Sequence, residues 1–207
     1  MREILLSLAV SVIAYLLGCF STGITLSRAM GVDIRTKGSK NTGASNVLRV
    51  LGLKSGVITY LGDLAKAILA VTIGHLILPG ETFGIAKYGM MLAGLFVVMG
   101  HNWPVFYGFK GGKGVACSSA VVVLCNPLCG IPAVIIGILV IVFTRFISLG
   151  SMTIMTLYMI GMCILNWGKW PVCLFAVILC VWCIWRHRAN VGRLLNGTEN
   201  KIGQRAK

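Results

Sequence analysis

Acidic residues are almost missing from this chain: its 207 residues include five Asp and Glu. Charge of either sign is scarce, at 12% of the residues, about half the share of a soluble domain. There is no internal repeat and no low-complexity tract. So few carboxylates argue against a centre that needs several of them to hold magnesium, as a lipid phosphotransferase would. So little charge excludes a disordered chain and an ordinary soluble enzyme. What is present instead is apolar surface, 57% of the residues, with a mean hydropathy of +0.89. One globular core of this length cannot hide that much, so the solvent is largely lipid. Eight cysteines lie almost entirely inside apolar stretches and read as small buried hydrophobes, not as a disulfide framework.

A spanning helix needs roughly 20 apolar residues. The pattern predicts an all-α, polytopic chain with seven spans, at about 4–27, 55–78, 87–101, 114–128, 131–145, 147–166 and 170–186. Residues 1–207 form one membrane-embedded domain on this reading. The fourth and fifth segments are short and nearly touch at Asn126-Pro127, so 114–145 is either two crossings or one broken segment. The connection 28–54, the connection 102–113, the turn at 145–147 and the tail carry fifteen of the nineteen Lys and Arg. The opposite side has Arg2, Lys87 and Lys169. Cytoplasmic loops are enriched in Lys and Arg, so the tail is expected in the cytoplasm and the N-terminus outside. The formal charge of +14 is then a topological signal and does not call for nucleic acid.

Three polar segments on that side are more than connections. The first, Gly38-Ser39-Lys40-Asn41-Thr42-Gly43-Ala44-Ser45-Asn46-Val47-Leu48-Arg49, alternates small residues, amides, hydroxyls and cations. Its glycines let backbone N–H groups turn toward a ligand, and Arg49 can grip a phosphate with two parallel bonds. It reads equally well as a turn before an interfacial helix capped by Ser45 or Asn46. The second runs from Gly100-His101 to Lys110-Gly111-Gly112-Lys113-Gly114, where glycines and lysines open directly into a helix N-terminus, a natural anion site. It is not a Walker A loop, because Tyr107 and Gly114 stand where Gly and Ser or Thr are required. The third, His187-Arg188-Ala189-Asn190 followed by Gly197-Thr198-Glu199, puts His187 and Asn190 on one helix face. Within the second span, Asp63 and Lys66 are three apart and read as a structural ion pair.

Taken together and in this order, the three segments resemble the acyl-phosphate-dependent glycerol-3-phosphate acyltransferases of bacteria, the PlsY family, over nearly the whole chain. Lys40, Ser45 and Cys117 depart from the residues usual there, Gly, Thr and Thr. The resemblance implies transfer of a fatty acyl group from acyl phosphate to the 1-hydroxyl of sn-glycerol 3-phosphate. The products would be lysophosphatidate and phosphate, in phospholipid biosynthesis at the bacterial inner membrane, with the active site facing the cytoplasm. It implies a catalytic set of Ser39, Arg49, Lys110, His187 and Asn190. Gly38, Asn41, Gly43, Asn46, His101, Gly111, Gly112, Lys113, Gly114, Ser148 and Arg188 would bind substrate, with the Gly-rich loop on the glycerol phosphate. Glu199 would be structural, and no metal or other cofactor is expected. The partners are the two substrates and membrane lipid, with the enzyme that supplies acyl phosphate as a further one.

Acyl phosphate is already activated, so no acyl-enzyme is required. Direct attack by the glycerol hydroxyl is the favoured course, the proton going to a phosphate oxygen of the donor or to His187. The alternative class is a transporter of phosphate or an organophosphate, which would place its polar groups near the midplane in paired broken helices.

Overall fold

The computed structural model describes residues 1–79, 82–83 and 86–204. Nine α-helices follow in order among them: α1 (Arg2–Cys19), α2 (Thr22–Ala29), α3 (Ala44–Ile77), α4 (Tyr88–Asn102), α5 (Val115–Cys125), α6 (Pro127–Thr144), α7 (Ile147–Leu165), α8 (Trp170–Arg186) and α9 (Arg188–Leu195). Two short antiparallel strands, β1 (Thr82–Phe83) and β2 (Ala86–Lys87), lead into α4. Arg205 and Lys207, two of the tail's basic residues, and Gly80 and Glu81 lie outside the described residues.

Among the described residues, five helical segments are long and apolar enough to cross a membrane, and α8 with α9, bent by 60°, adds a sixth if taken as one span. The all-α, multi-pass architecture is therefore present. Its segment bounds differ from the hydropathy reading in instructive ways. The first span breaks after Cys19, and the Ser21 hydroxyl caps α2 by accepting from the Ile24 N–H at 3.3 Å. The second begins eleven residues early, at Ala44, and kinks at Gly52 (φ 85°). The stretch before the kink is polar because it stands at the end of the bundle, so hydropathy alone assigns it to a loop. The fourth, α5, has 11 residues and reaches about 16 Å, roughly half of the ~30 Å hydrocarbon core. It ends where Asn126 closes α5 and caps α6, its Oδ1 accepting from the Cys129 N–H at 3.1 Å, with Pro127 as the first residue of α6. The segment 114–145 is thus a short buried helix followed by a full-length one.

Small residues let the helices approach closely, the usual basis of association in lipid. A Cβ on Gly18 of α1 would run into the Val97 carbonyl of α4, and one on Gly74 of α3 into the Gly89 carbonyl. Eight residues of α5 are buried, and α3, α4, α6 and α7 pack around it. Outward, α6 presents Ile131, Ile135, Ile138, Leu139, Val142 and Phe143, a face suited to lipid. The ends of α1, α4, α6 and α8 and the starts of α3, α5 and α7 gather at one end of the bundle, where the polar connections also lie.

Candidate active site

The first polar segment is folded around one amide. Asn46 is the third residue of α3 and almost fully buried. Its Nδ2 donates to the carbonyls of Asn41 (2.9 Å), Lys37 (3.1 Å) and Ile34 (3.3 Å), and its Oδ1 accepts from the Ser39 N–H at 2.8 Å. With every donor and one acceptor site so used, Asn46 positions the loop, and its neighbours Ser39, Asn41 and Gly43 line the cavity. Asp33 and Arg35 brace the same loop by a forked pair at 2.8 and 2.9 Å; the Arg35 bond holds the Asp33 carboxyl down to about 2.

The Gly-rich loop is held from behind. Arg186, at the end of α8, donates to the Gly111 carbonyl at 2.8 Å and to the Gly112 carbonyl at 2.6 and 2.9 Å. Its guanidinium also lies 5.7 Å from the centre of the Trp103 ring. Both carbonyls being turned to Arg186, the loop reaches the cavity through Lys113 and Gly114. Gly114 has φ 76°, a left-handed conformation that favours glycine, and it is the N-cap of α5. The first N–H groups of α5, free of helical partners, open beside the cavity that Gly114, Val115 and Ala116 line.

The tail completes the site. Lys113 donates to Asn190 Oδ1, and Asn190 Nδ2 donates to Glu199 Oε1 at 2.6 Å. Ser148 donates to the same oxygen at 2.8 Å, and Arg193 Nε to Oε2 at 2.8 Å. Burial pushes the Glu199 carboxyl up, but the bonds from Asn190, Ser148 and Arg193 outweigh it and hold it below the usual range. The tail is tied again at the α6–α7 turn, where Arg145 donates to the Ile202 carbonyl at 2.7 Å and its own carbonyl accepts from the Ile202 N–H at 2.8 Å.

His187 sits in the turn between α8 and α9, 2% exposed. Its Nδ1 lies 2.8 Å from the Cys183 carbonyl. A carbonyl only accepts, so the proton is on Nδ1 and the lone pair is on Nε2. Burial, then the Lys113 charge, lowers its pKa to about 4, so the ring is neutral at neutral pH. Burial and the cations Arg193 and Arg186 outweigh Glu199 and lower Lys113 to about 8.

One cavity joins these parts. Its polar end is lined by Ser39, Arg49, Lys113, His187, Asn190 and Glu199, and its apolar limb by Tyr60, Val134, Ile138, Ile141 and Ile154. A second opening, over Gly38, Arg49, Lys113, Arg186 and Arg193, leads to it from the polar end of the bundle. Of the catalytic and substrate-binding candidates read from sequence, Lys110, Gly111, Gly112 and Arg188 line neither opening. Lys110 is exposed, and Arg188 stacks on Trp185 at 4.8 Å, facing outward. Three residues escaped the sequence reading. Arg186 and Arg193 counted only as topological cations. Asn102, fully buried, sits where a Cβ on Gly114 would come within 2.8 Å of its Oδ1. Among the described residues neither of its amide atoms has a partner.

Comparison with known proteins agrees across the chain. A family model described as glycerol-3-phosphate acyltransferase matches residues 8–197. A glycerol-3-phosphate acyltransferase of Clostridioides difficile is 44% identical over 206 residues, covering 98% of each chain. One from Thermoanaerobacter pseudethanolicus is 44% identical over 196 residues, covering 94% of this chain and 95% of the relative. The fold superposes on a crystal structure of PlsY (YgiH), an integral membrane glycerol 3-phosphate acyltransferase, in its glycerol 3-phosphate form. The TM-score is 0.85 at 34% identity, over 95% of this chain and 96% of that one. The lysophosphatidic acid form of PlsY gives a TM-score of 0.82 at the same identity, over 95% of each chain.

Proposed function

This chain belongs to the glycerol-3-phosphate acyltransferase family, and from that premise we propose that its acyl donor is an acyl phosphate. The acceptor is the 1-hydroxyl of sn-glycerol 3-phosphate, and the products are lysophosphatidate and inorganic phosphate. The observation that carries this reading is the single cavity with a cationic end and an apolar limb. Arg49, Lys113 and Arg193 supply positive charge there, and the nearby Glu199 is already engaged by Asn190, Ser148 and Arg193. That excess suits two phosphoryl groups held side by side. The limb along α6 suits a fatty chain that reaches out into lipid past Ile138.

Glycerol 3-phosphate enters by the polar opening and rests its phosphate on the loop, against Lys113 and the N-terminus of α5. Acyl phosphate enters from the lipid. The glycerol hydroxyl attacks the acyl carbon, the ester C–O bond forms and the acyl–phosphate C–O bond breaks. His187 Nε2 accepts a hydrogen bond from the hydroxyl as glycerol 3-phosphate docks, and in the attack the O–H exchanges that bond for one to an oxygen of the donor's phosphate. A group with a pKa of about 4 holds a proton poorly, so the proton passes to an oxygen of the departing phosphate. Ser39 and Asn190, which line the cavity, face the oxyanion that forms. The excess of Lys and Arg in the polar connections supports a cytoplasmic face for this end of the bundle, in the bacterial inner membrane. The supply of acyl phosphate makes the enzyme that produces it a functional partner.

The test mixes purified protein in detergent with glycerol 3-phosphate and palmitoyl phosphate, with EDTA present. Phosphate release that requires both substrates is expected, and a palmitoyl thioester should not replace the acyl phosphate. Folded protein that acylates glycerol 3-phosphate from the thioester alone would overturn the donor assignment.

A further inference from the structure

Directly beneath the Gly-rich loop lies a cluster of three ionisable side chains, all but sealed from solvent: Asp63, Lys66 and His101, at 2%, 6% and 6% exposure. An ammonium has three protons to donate. Lys66 Nζ lies 3.0 Å from the Gly18 carbonyl, 2.6 Å from the Phe20 carbonyl and 3.0 Å from His101 Nδ1. Asp63 Oδ1 is also 3.0 Å away, yet it receives no directed hydrogen bond. The three protons are therefore spent on two backbone carbonyls, at the break between α1 and α2, and on the imidazole. Asp63 serves as counter-ion.

This assignment fixes the state of His101. An Nδ1 that accepts from Lys66 carries no proton of its own, so the proton of the ring is on Nε2. Charge balance agrees. Lys66 and Asp63 cancel, and a cationic His101 would leave one buried positive charge without a partner. Asp63 Oδ1 is 3.6 Å from Nδ1, beyond hydrogen-bond reach. The remaining neighbour able to ionise is Cys117 of α5, whose thiol is turned to the Asp63 carbonyl at 3.3 Å.

Nε2 meanwhile points at the loop. A Cβ on Gly112 would overlap it, the Gly112 N–H is bonded to the His101 carbonyl at 3.0 Å, and His101 lines the main cavity. Among the described residues nothing accepts the Nε2 proton. We propose that His101 presents an Nε2–H donor to a phosphate oxygen of glycerol 3-phosphate seated on the loop, and that Asp63 and Lys66 are positioning residues that hold it in that tautomer. The inference rests on the functional reading above for the identity of the ligand. It gives the ion pair inside the membrane a second task besides holding α1, α3 and α4 together.

The tautomer can be read without activity. The chain has three histidines, and His75 lies at the far end of the bundle beside Lys87. In His75→Gln protein labelled with 15N-histidine, the His101 spectrum should show Nδ1 without a proton and Nε2 with one, near neutral pH. Titration with glycerol 3-phosphate alone should move Nε2 far more than Nδ1. A cationic ring, or a proton on Nδ1, overturns the proposal. So does protein that turns over glycerol 3-phosphate while Nε2 stays unmoved by it. Protein that neither binds nor acylates glycerol 3-phosphate overturns the functional reading as well.

Kinetics supply the second readout. His101→Gln carries an amide N–H near the place of Nε2–H, and His101→Asn falls short of it. Asn should raise KM for glycerol 3-phosphate about tenfold, the worth of one charge-assisted bond, with Gln recovering most of that loss and kcat changing less. Equal KM values in both variants, each folded by its thermal melt, would contradict a donor at Nε2. Lys66→Met should abolish the tautomer preference in the spectrum, and an unchanged His101 spectrum in that variant would remove Lys66 from the account.

Discussion

Two carboxylates border the cavity, and they are held in opposite ways. Asp63 sits in the middle of a helix and pairs with a cation three residues on. Glu199 sits in the tail and is gripped by Arg193, Asn190 and Ser148, 6, 9 and 51 residues away in sequence. The first network joins helices that a membrane protein must pack in any case. The second exists only once the tail has folded back across α7 and α9. A local pair inside lipid serves stability first, whereas a carboxylate assembled from distant segments serves the shape of the site.

The largest effects should separate the two. Asp63→Asn leaves Lys66 without its counter-ion, a loss of about 3–5 kcal/mol of stability, readable as a lowered midpoint of thermal unfolding. Glu199→Ala should cost little stability but free Asn190, Ser148 and Arg193 together, lowering kcat/KM by roughly a hundredfold. If Glu199→Ala unfolds the protein while Asp63→Asn does not, the comparison is reversed.

Next in size is a pH effect. Lys113 is held down to about 8, so it is charged below that pH and neutral above it. In the free enzyme, kcat/KM for glycerol 3-phosphate should fall above pH ~8, approaching tenfold per pH unit. Lys113→Arg should remove the fall, because a guanidinium keeps its charge throughout. A wild-type profile flat to pH 10 would show that this charge does not govern binding.

Arg186→Lys should be milder. A single ammonium cannot hold the Gly111 and Gly112 carbonyls as the fork does. KM for glycerol 3-phosphate should rise about tenfold at nearly constant kcat, on the scale of one or two lost hydrogen bonds. The smallest effect belongs to Lys110→Ala. The motif places Lys110 among the catalytic residues, but its exposed position outside the cavity predicts a change within about twofold, as for surface substitutions generally. A hundredfold loss there would mean that the loop turns Lys110 inward when substrate binds.

The contrast between the two carboxylates also explains what could be read in the sequence. Asp63 and Lys66 share a helix face, so their spacing announces the pair. The spans are legible because lipid demands apolar runs, and α8 (Trp170–Arg186) falls where hydropathy puts it. Hydropathy fails where a helix continues into the polar zone, as α3 does from Ala44 to its kink at Gly52, and where a buried helix is only 11 residues long, as α5 is. The loops announce an anion site by composition, but composition cannot say which cation faces inward. Lys113 and Lys110 have the same chemistry and are three apart, yet only Lys113 lines the cavity. Arg186 was invisible as a clamp because its partners are 74 and 75 residues away. Asn46 stands in the motif as a ligand candidate and borders the cavity, and its tertiary bonds show a second task, holding the loop, that composition does not announce.

In the proposed reaction both substrates occupy one cavity and react directly. Enzyme incubated with palmitoyl phosphate alone and then weighed as intact protein by mass spectrometry tests it most directly. Direct transfer predicts unmodified protein, no burst of phosphate without acceptor, and intersecting initial-rate lines once glycerol 3-phosphate is added. A stoichiometric acyl adduct on Ser39, discharged by glycerol 3-phosphate, would contradict it.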